Sequence, residues 1–212
     1  MRGLWAIVPV KPLREGKSRL ASVLTDPQRW QLNRSLLSRT LKVLRSMDVF
    51  EQILVISRDN EALSLARREG ARTILENGSP ELNASILRAT AFALKFNVQA
   101  LLILPTDLPL LDTEVVMAFL HRLHEPPAAV IAPDRHHQGT NALLLSPPGK
   151  MEYCFGERSF EKHLYQVKLN NFHLEVMEDA RLALDLDTVE DFVLYERMAC
   201  GALAAASLFT EG

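Results

Sequence analysis

The 212-residue sequence lacks the features that mark several common classes of protein. Its 2 cysteines, Cys154 and Cys200, are far apart and form no CxxC pair, which favours a reduced cytoplasmic protein. Its 24 basic and 26 acidic residues give a formal net charge of −2, so no basic excess is present to bind nucleic acid. No apolar segment is long enough for a bilayer span, and the first apolar run ends at Pro9, too soon for a secretory signal. We therefore expect no nucleic acid or membrane partner.

Several catalytic motifs are absent as well. The sequence contains neither GxxxxGK[ST] nor GxGxxG, which disfavours a P-loop NTPase and a dinucleotide-binding fold. No Ser–His–Asp arrangement suggests itself. His121 and His124 have the spacing of one helix face, and His136 and His137 are adjacent in a loop, but no acid or cysteine completes a zinc site at a plausible spacing. We expect no metal ligation by histidine.

Hydrophobic patterning predicts an α/β fold with a mostly parallel central sheet and helices on both faces. With 48% hydrophobic residues, residues 1–212 are expected to form a single domain. Apolar runs predict strands at 4–10, 53–57, 72–75, 100–105, 129–132, 142–145 and 172–177. Helical spacing and end signals predict helices at 27–47 (capped by Asp26), 60–69, 82–96, 113–125 (capped by Asp112 or Thr113), 159–167 and 188–198.

A basic loop follows the first predicted strand. It carries Lys11, Arg14, Lys17 and Arg19 within the segment PVKPLREGKSRL. Ligands of parallel α/β sheets collect beyond the carboxyl ends of the strands, and a triphosphate needs cations there. We interpret the loop as a phosphate-binding segment; the alternative is a solvated basic loop.

Two acidic segments are candidates for a metal site. Asp107, in PTDLP, follows the most apolar predicted strand, where a carboxylate is well placed to hold Mg²⁺. Asp185 and Asp187 alternate in DLDT and share a face, and Asp187 is the preferred second metal contact. The alternative is that these acids cap a helix, the role assigned to Asp191.

Two further segments could bind a second substrate. Thr140 and Asn141 follow Gly139 in PDRHHQGTNALL and offer short hydrogen-bonding side chains. Gly156 precedes Ser159 in FGERSF at the start of a predicted helix, where anions bind readily. Ser159 could equally be an ordinary N-cap.

Together these motifs resemble the 2-phospholactate or phosphoenolpyruvate guanylyltransferase family of coenzyme F-420 biosynthesis. The resemblance implies a molybdopterin-guanylyltransferase-like fold of the Rossmann-like nucleotide-diphospho-sugar-transferase type. The resemblance covers nearly the whole chain. It rests on these segments, in the family's order: PVKPLREGKSRL, LNASI, PTDLPLL, PDRHHQGTNALL, FGERSFEKHL and DLDTVEDF. GTNALL together with FGxxSFxxHL is the most specific pair.

The resemblance implies a role for individual residues. Thr140, Gly156 and Ser159 would contact a small phosphorylated acid. Lys17 and Arg19 would face the phosphates of GTP, Asn83 would lie in the nucleotide pocket, and Asp107 would hold Mg²⁺. The implied reaction is transfer of GMP from GTP to phosphoenolpyruvate or 2-phospho-L-lactate, with release of pyrophosphate. The sequence leaves open whether the acceptor is one of these or 3-phosphoglycerate.

Alternatives remain open on the sequence alone. A cytidylyltransferase acting on another phosphorylated metabolite would share the fold and the role of Asp107. A non-catalytic, nucleotide-binding regulatory protein is a second alternative, which the presence of Lys17, Asp107 and Asp187 disfavours. We also expect a homodimer, which no particular sequence feature requires.

Overall fold

The computed structural model describes residues 3–78 and 81–208, with side chains through residue 199. Seven strands are present: β1 (Leu4–Pro9), β2 (Gln52–Ser57), β3 (Arg72–Leu75), β4 (Ala100–Ile103), β5 (Ala128–Pro133), β6 (Thr140–Ser146) and β7 (His173–Val176). The α-helices are α1 (Asp26–Arg45), α2 (Asn60–Arg68), α3 (Leu82–Ala93), α4 (Thr113–Leu120), α5 (Ser159–Leu169), α6 (Ala180–Ala183) and α7 (Val189–Leu208). Single 3₁₀ turns lie at Ser18–Leu20 and Leu94–Phe96. None of the described helices has the length and apolar character needed to cross a membrane.

The strands form one sheet in the order β3-β2-β1-β4-β6-β5-β7. All neighbouring pairs are parallel except those of β6, which runs antiparallel to β4 and β5. The mostly parallel sheet is therefore confirmed. Because β6 runs antiparallel to its neighbours, its first residue, Thr140, lies at the end of the sheet where the other strands have their carboxyl ends.

Helices cover both faces of this sheet, as predicted. One core contains buried residues of α1, α2, α4 and α6. The other contains buried residues of α3 and α5. Every residue of β4 is buried, which confirms its central position.

Several predicted ends of elements are corrected. Asp26 is not the cap of α1: the N-cap is Thr25, which forms a capping box with Gln28, while Asp26 pairs with Arg29. Asp112 caps α4 as predicted, through a 2.8 Å bond from the Val115 N–H. The helix predicted for 113–125 nevertheless ends at Leu120, and the strand predicted for 100–105 ends at Ile103.

The chain reverses its direction across the sheet between β1 and β4. From β1 it adds β2 and β3 on one side, and β4 then pairs with the other side of β1. The crevice at such a switch point is where open α/β sheets bind ligands. The loops after β1 and β4 carry Lys17 and Asp107 into this crevice.

Candidate active site

Lys17 lies between two carboxylates that come from distant parts of the chain. Its Nζ is 2.8 Å from Asp187 Oδ1 and 3.4 Å from Asp107 Oδ2. The Lys17 side chain is only 7% exposed, whereas those of Asp107 and Asp187 are 31% and 48% exposed. The backbone of Lys17 adopts the left-handed conformation, with φ of 61°, which is unusual for a lysine and is typical of functional sites.

The charges at this site stabilise each other. Burial would lower the pKa of Lys17, but the carboxylates of Asp107 and Asp187 outweigh it and raise the pKa above its usual value. Burial would raise the pKa of Asp187, but Lys17, and then Lys11 and Arg19, hold it below its usual value. The four predicted cationic and acidic residues Lys11, Lys17, Arg19 and Asp187 therefore form one electrostatic cluster.

Asp185 is a third acid of the same site, which the sequence left as the less favoured of two alternatives. Burial, and then the charges of Asp107 and Asp187, raise its pKa to about 6. Asn141 lies beside it, with Nδ2 3.4 Å from Asp185 Oδ1 and 2.9 Å from the Leu182 carbonyl. Asp185 thus adds a third carboxylate near the two that contact Lys17, and carboxylate oxygens are the ligands that a hard divalent cation prefers.

The exposed basic residues of the loop do not all lie together. Lys11 and Arg19 are exposed and close enough to Asp187 to lower its pKa. Arg14 instead lies over the indole of Trp30, with its guanidinium carbon 5.4 Å from the ring centroid. The structure therefore separates Arg14 from the charges that surround Lys17.

Thr140 and Ser159, predicted to bind the second substrate, are in contact. The Thr140 N–H donates to Ser159 Oγ at 2.8 Å, and both residues are buried. The N-cap of α5 is Arg158, so Ser159 is the first residue of the helix and not its cap. Gly156 is exposed, with φ of 116°, and a Cβ there would meet nothing within 4 Å. The backbone at Gly156 is thus open to a ligand.

His163 joins this pair; it is the histidine of the FGxxSFxxHL motif, but the sequence predicted no role for it. Thr140 Oγ1 lies 2.9 Å from His163 Nδ1, and the Cys154 N–H donates to His163 Nε2 at 3.0 Å. The imidazole is fully buried, and this burial lowers its pKa to about 4. His163 is therefore neutral at pH 7.

Asn83 holds the loop that leads to Gly156. Its Nδ2 donates to the Phe155 carbonyl at 3.0 Å, and its Oδ1 accepts from the Phe155 N–H at 2.8 Å. The Asn83 amide thus connects the start of α3 to the predicted acceptor-binding loop. Its contact with the nucleotide stays a prediction.

Asp191 has the capping role assigned from the sequence. Its Oδ2 accepts from the Thr188 N–H at 2.7 Å, and its Oδ1 pairs with Arg135 Nη2 at 2.6 Å. The Leu186 N–H donates to the Asp107 carbonyl at 2.9 Å. These bonds fix the DLDT segment against the loop that follows β4 and set the positions of Asp185 and Asp187.

The expectation that no acid completes a zinc site with the histidines is wrong in its geometry for His124, because its ligand atom and those of His173 and Glu175 lie within 4.8 Å of one another. His124 lies beyond the end of α4, with Nε2 3.1 Å from Glu175 Oε1, and His173 Nε2 is 3.6 Å from the same oxygen. Both imidazoles are about half exposed, and Glu175 also pairs with Arg122. Surface hydrogen bonding and ion pairing account for this cluster.

The chain also matches a known protein family. The family described as "Guanylyl transferase CofC like" matches residues 4–206. The chain belongs to this family. The resemblance drawn from the sequence motifs is thereby confirmed.

Curated relatives of this guanylyl transferase family match most of the chain. A phosphoenolpyruvate guanylyltransferase of Rubrobacter xylanophilus is 40% identical over 91% of this chain and 93% of its own length. One of Sphaerobacter thermophilus is 36% identical over 95% of both. A 2-phospho-L-lactate guanylyltransferase of Methanocaldococcus infernus is 33% identical over 87% of this chain and 81% of its own. The relatives thus carry both acceptor names.

Solved structures support the fold assignment. A nucleotidyl transferase from Methanothermobacter thermautotroptrophicus superposes with a TM-score of 0.64 at 13% identity, covering 92% of this chain and 96% of its own. A cytidylyltransferase from Leptospira borgpetersenii gives 0.59 at 15% identity, covering 91% and 84%. At these identities the likeness shows the fold alone, and it confirms the nucleotidyltransferase-type architecture.

Proposed function

We propose that this protein transfers GMP from GTP to phosphoenolpyruvate or 2-phospho-L-lactate and releases pyrophosphate, as a step of coenzyme F-420 biosynthesis. The observation that carries the proposal is the placement of Lys17 between Asp107 and Asp187 at the switch point of the sheet. The choice of guanine as the base, and of phosphoenolpyruvate or 2-phospho-L-lactate as the acceptor, is based on the names of the relatives. The proposal treats residues 1–212 as a single catalytic domain.

The nucleotide would lie in the crevice between β1 and β4. Lys17, with Lys11 and Arg19 at its exposed side, would neutralise the triphosphate through charge-assisted hydrogen bonds. Asn83, at the start of α3, would line the nucleotide pocket.

These carboxylates supply the oxygen ligands that a divalent cation prefers, and we propose that the cation is Mg²⁺. Asp107 and Asp187 would hold it, and Asp185 is a third ligand candidate, because its carboxylate is buried close enough to the other two for their charges to help raise its pKa. The ion would supply charge neutralisation on the phosphates of both substrates.

The phosphorylated acid would bind beside Thr140, Gly156 and Ser159. The two hydroxyl groups and the open backbone at Gly156 converge where the start of β6 meets α5. This region lies at the same sheet edge as Lys17, because β6 is antiparallel to its neighbours.

The proposed reaction needs positioning more than acid–base chemistry. An oxygen of the acceptor phosphate attacks the α-phosphorus of GTP, a new P–O bond forms, and the bond to the β-phosphate breaks as pyrophosphate leaves. The attacking oxygen is already anionic at neutral pH, so no strong base is required. Lys17 and Arg19 screen the repulsion between the two polyanions, and the acceptor site holds the attacking group in line.

The test is pyrophosphate release with Mg²⁺, measured for each NTP paired with phosphoenolpyruvate, 2-phospho-L-lactate and 3-phosphoglycerate. We expect release with GTP and one of the first two acids. Pyrophosphate release with CTP alone would show that the protein uses CTP instead of GTP, while the proposed mechanism would stand. GTP binding without release in any pairing would contradict the catalytic proposal and favour a regulatory role. Light scattering after size-exclusion chromatography tests the expected homodimer.

A further inference from the structure

His163 has one of its ring nitrogens fixed as a hydrogen-bond acceptor. The backbone N–H of Cys154 points at Nε2 from 3.0 Å, and a backbone amide can only donate. The imidazole is fully buried and neutral at pH 7, so it carries one proton. That proton must therefore reside on Nδ1.

The proton on Nδ1 determines the direction of the next hydrogen bond. Nδ1–H donates to Thr140 Oγ1 at 2.9 Å. The hydroxyl oxygen of Thr140 thus serves as an acceptor, and its own proton is left to donate elsewhere. Among the described residues, no protein acceptor receives a hydrogen bond from that proton, because the only partner of Thr140 Oγ1 is the Nδ1–H that donates to it.

Ser159 repeats this arrangement. Its Oγ accepts the Thr140 N–H at 2.8 Å, and no side chain or carbonyl of the described residues accepts the Ser159 hydroxyl proton. Two buried hydroxyl groups, held together and each engaged by an N–H donor, therefore keep their protons for a ligand. Buried donors without a partner are costly, so a ligand oxygen that satisfies them gains affinity.

We propose that His163 is a positioning residue that fixes the Thr140 hydroxyl as a hydrogen-bond donor to an anionic oxygen of the acceptor substrate, beside the Ser159 hydroxyl that the Thr140 N–H holds in the same way. This inference rests on the proposed function and adds to it the chemistry of the recognised group. A phosphate or carboxylate oxygen, which only accepts, fits two donors. A ligand with a hydroxyl group or an ammonium at this place fits worse.

The tautomer is tested without any activity measurement. In protein labelled with ¹⁵N in its histidines, long-range ¹H–¹⁵N correlation spectra distinguish a protonated Nδ1 from a protonated Nε2. His163→Asn serves to assign the signal. A protonated Nδ1 with an unprotonated Nε2 at pH 7 is expected. A protonated Nε2, or a doubly protonated ring, would overturn the inference whatever the enzyme catalyses.

Kinetics test the consequence for the substrate. His163→Leu removes both ring nitrogens, and we expect the KM for the phosphorylated acid to rise roughly tenfold to hundredfold, as for a lost bond to a charged group, with KM for GTP nearly unchanged. His163→Asn retains a donor near the Nδ1 position and should recover much of this loss. Thr90→Val is the matched control, since it breaks the buried 2.7 Å bond to Tyr153 in the same core.

The outcomes separate this inference from the proposed function. An active wild type whose acceptor KM does not change in His163→Leu, or changes equally in Thr90→Val, contradicts the role of His163. An inactive wild type contradicts the proposed function, while the tautomer measurement still decides the hydrogen-bond direction. If His163→Leu does not fold, His163→Asn must still show an acceptor KM between wild type and Thr140→Val for the inference to stand.

Discussion

Lys17 Nζ lies 2.8 Å from Asp187 Oδ1, although 170 residues separate the two in the chain. With Asp107, these residues bring three loops to one point. The ammonium group already balances part of the negative charge that a metal ion would otherwise neutralise. Lys17 therefore neutralises charge in the unliganded protein, in addition to its part in the proposed reaction.

Replacing Lys17 with Met should tighten binding of a divalent cation in the absence of nucleotide. The substitution removes a positive charge next to Asp107 and Asp187, so their attraction for an added cation increases. Titration calorimetry with Mg²⁺ or Mn²⁺ measures this. Lys11→Met, at an exposed position, is the control with a smaller effect. Weaker cation binding in Lys17→Met would show that these carboxylates are not the metal ligands.

Asp107→Asn should lower turnover by orders of magnitude with little change in the melting temperature. The variant keeps the shape of the side chain and loses the charge that would hold the metal ion. Pyrophosphate release and differential scanning fluorimetry measure the two effects. Asp26→Asn, at an exposed residue that pairs with Arg29, controls for general loss of charge. Near-normal turnover would remove Asp107 from the proposed site.

Ser159→Ala should raise the KM for the acceptor more than the KM for GTP. It also leaves the buried Thr140 N–H without its acceptor, which costs about 1–3 kcal/mol of unfolding free energy. Ser146→Ala removes a different buried hydroxyl, which bonds to the Gln99 carbonyl, and should destabilise without affecting KM. Equal changes in both KM values for Ser159→Ala would count against the acceptor assignment.

Asn83→Ala tests whether this residue acts on one substrate or on two. Loss of both hydrogen bonds to Phe155 should loosen the backbone before Gly156 and raise the acceptor KM. Loss of the predicted nucleotide contact should raise the KM for GTP. Steady-state kinetics with each substrate varied give the two effects separately. A change in the GTP KM alone would mean that the Phe155 contacts do not position the acceptor loop.

The buried imidazole of His163 should make stability dependent on pH. Its pKa is about 4 in the folded protein against 6.5 as the usual value, so the unfolded chain binds a proton that the folded protein does not. This contribution, about 3 kcal/mol, is fully present above pH 6.5 and is lost as the pH falls towards 4. Denaturant unfolding of wild type and His163→Asn across this range should show the difference between them shrinking as pH falls. A difference that stays constant would contradict it.

Local patterns predicted the elements well and some contacts not at all. The apolar run of β4 and the Asp112 cap could be read from neighbouring residues, because burial on both faces and capping are short-range effects. The direction of β6 could not be read in this way, because a fully buried strand has the same apolar pattern whether it runs parallel or antiparallel to its neighbours. The Thr25 cap was missed because a reciprocal bond from Gln28 outweighs the preference for Asp.

For the candidate site, too, local sequence patterns predicted some residues and not others. Lys17 and Asp107 were found because each follows a strand whose end could be located. Asp187 was preferred over Asp185, although the structure places both carboxylates close to Asp107. The role of His163 depends on Cys154 and Thr140, and nothing in the helical pattern around a histidine indicates which backbone amide will face it.

The reversed strand β6 divides the substrate sites by position in the chain. Residues proposed for the nucleotide lie mostly within 11–107, whereas those proposed for the acceptor lie within 140–163. On this proposed assignment, acceptor preference depends mainly on one contiguous stretch of the chain. Exchanging that stretch between a phosphoenolpyruvate relative and a 2-phospho-L-lactate relative would carry the preference across, provided that the Asn83–Phe155 junction is preserved.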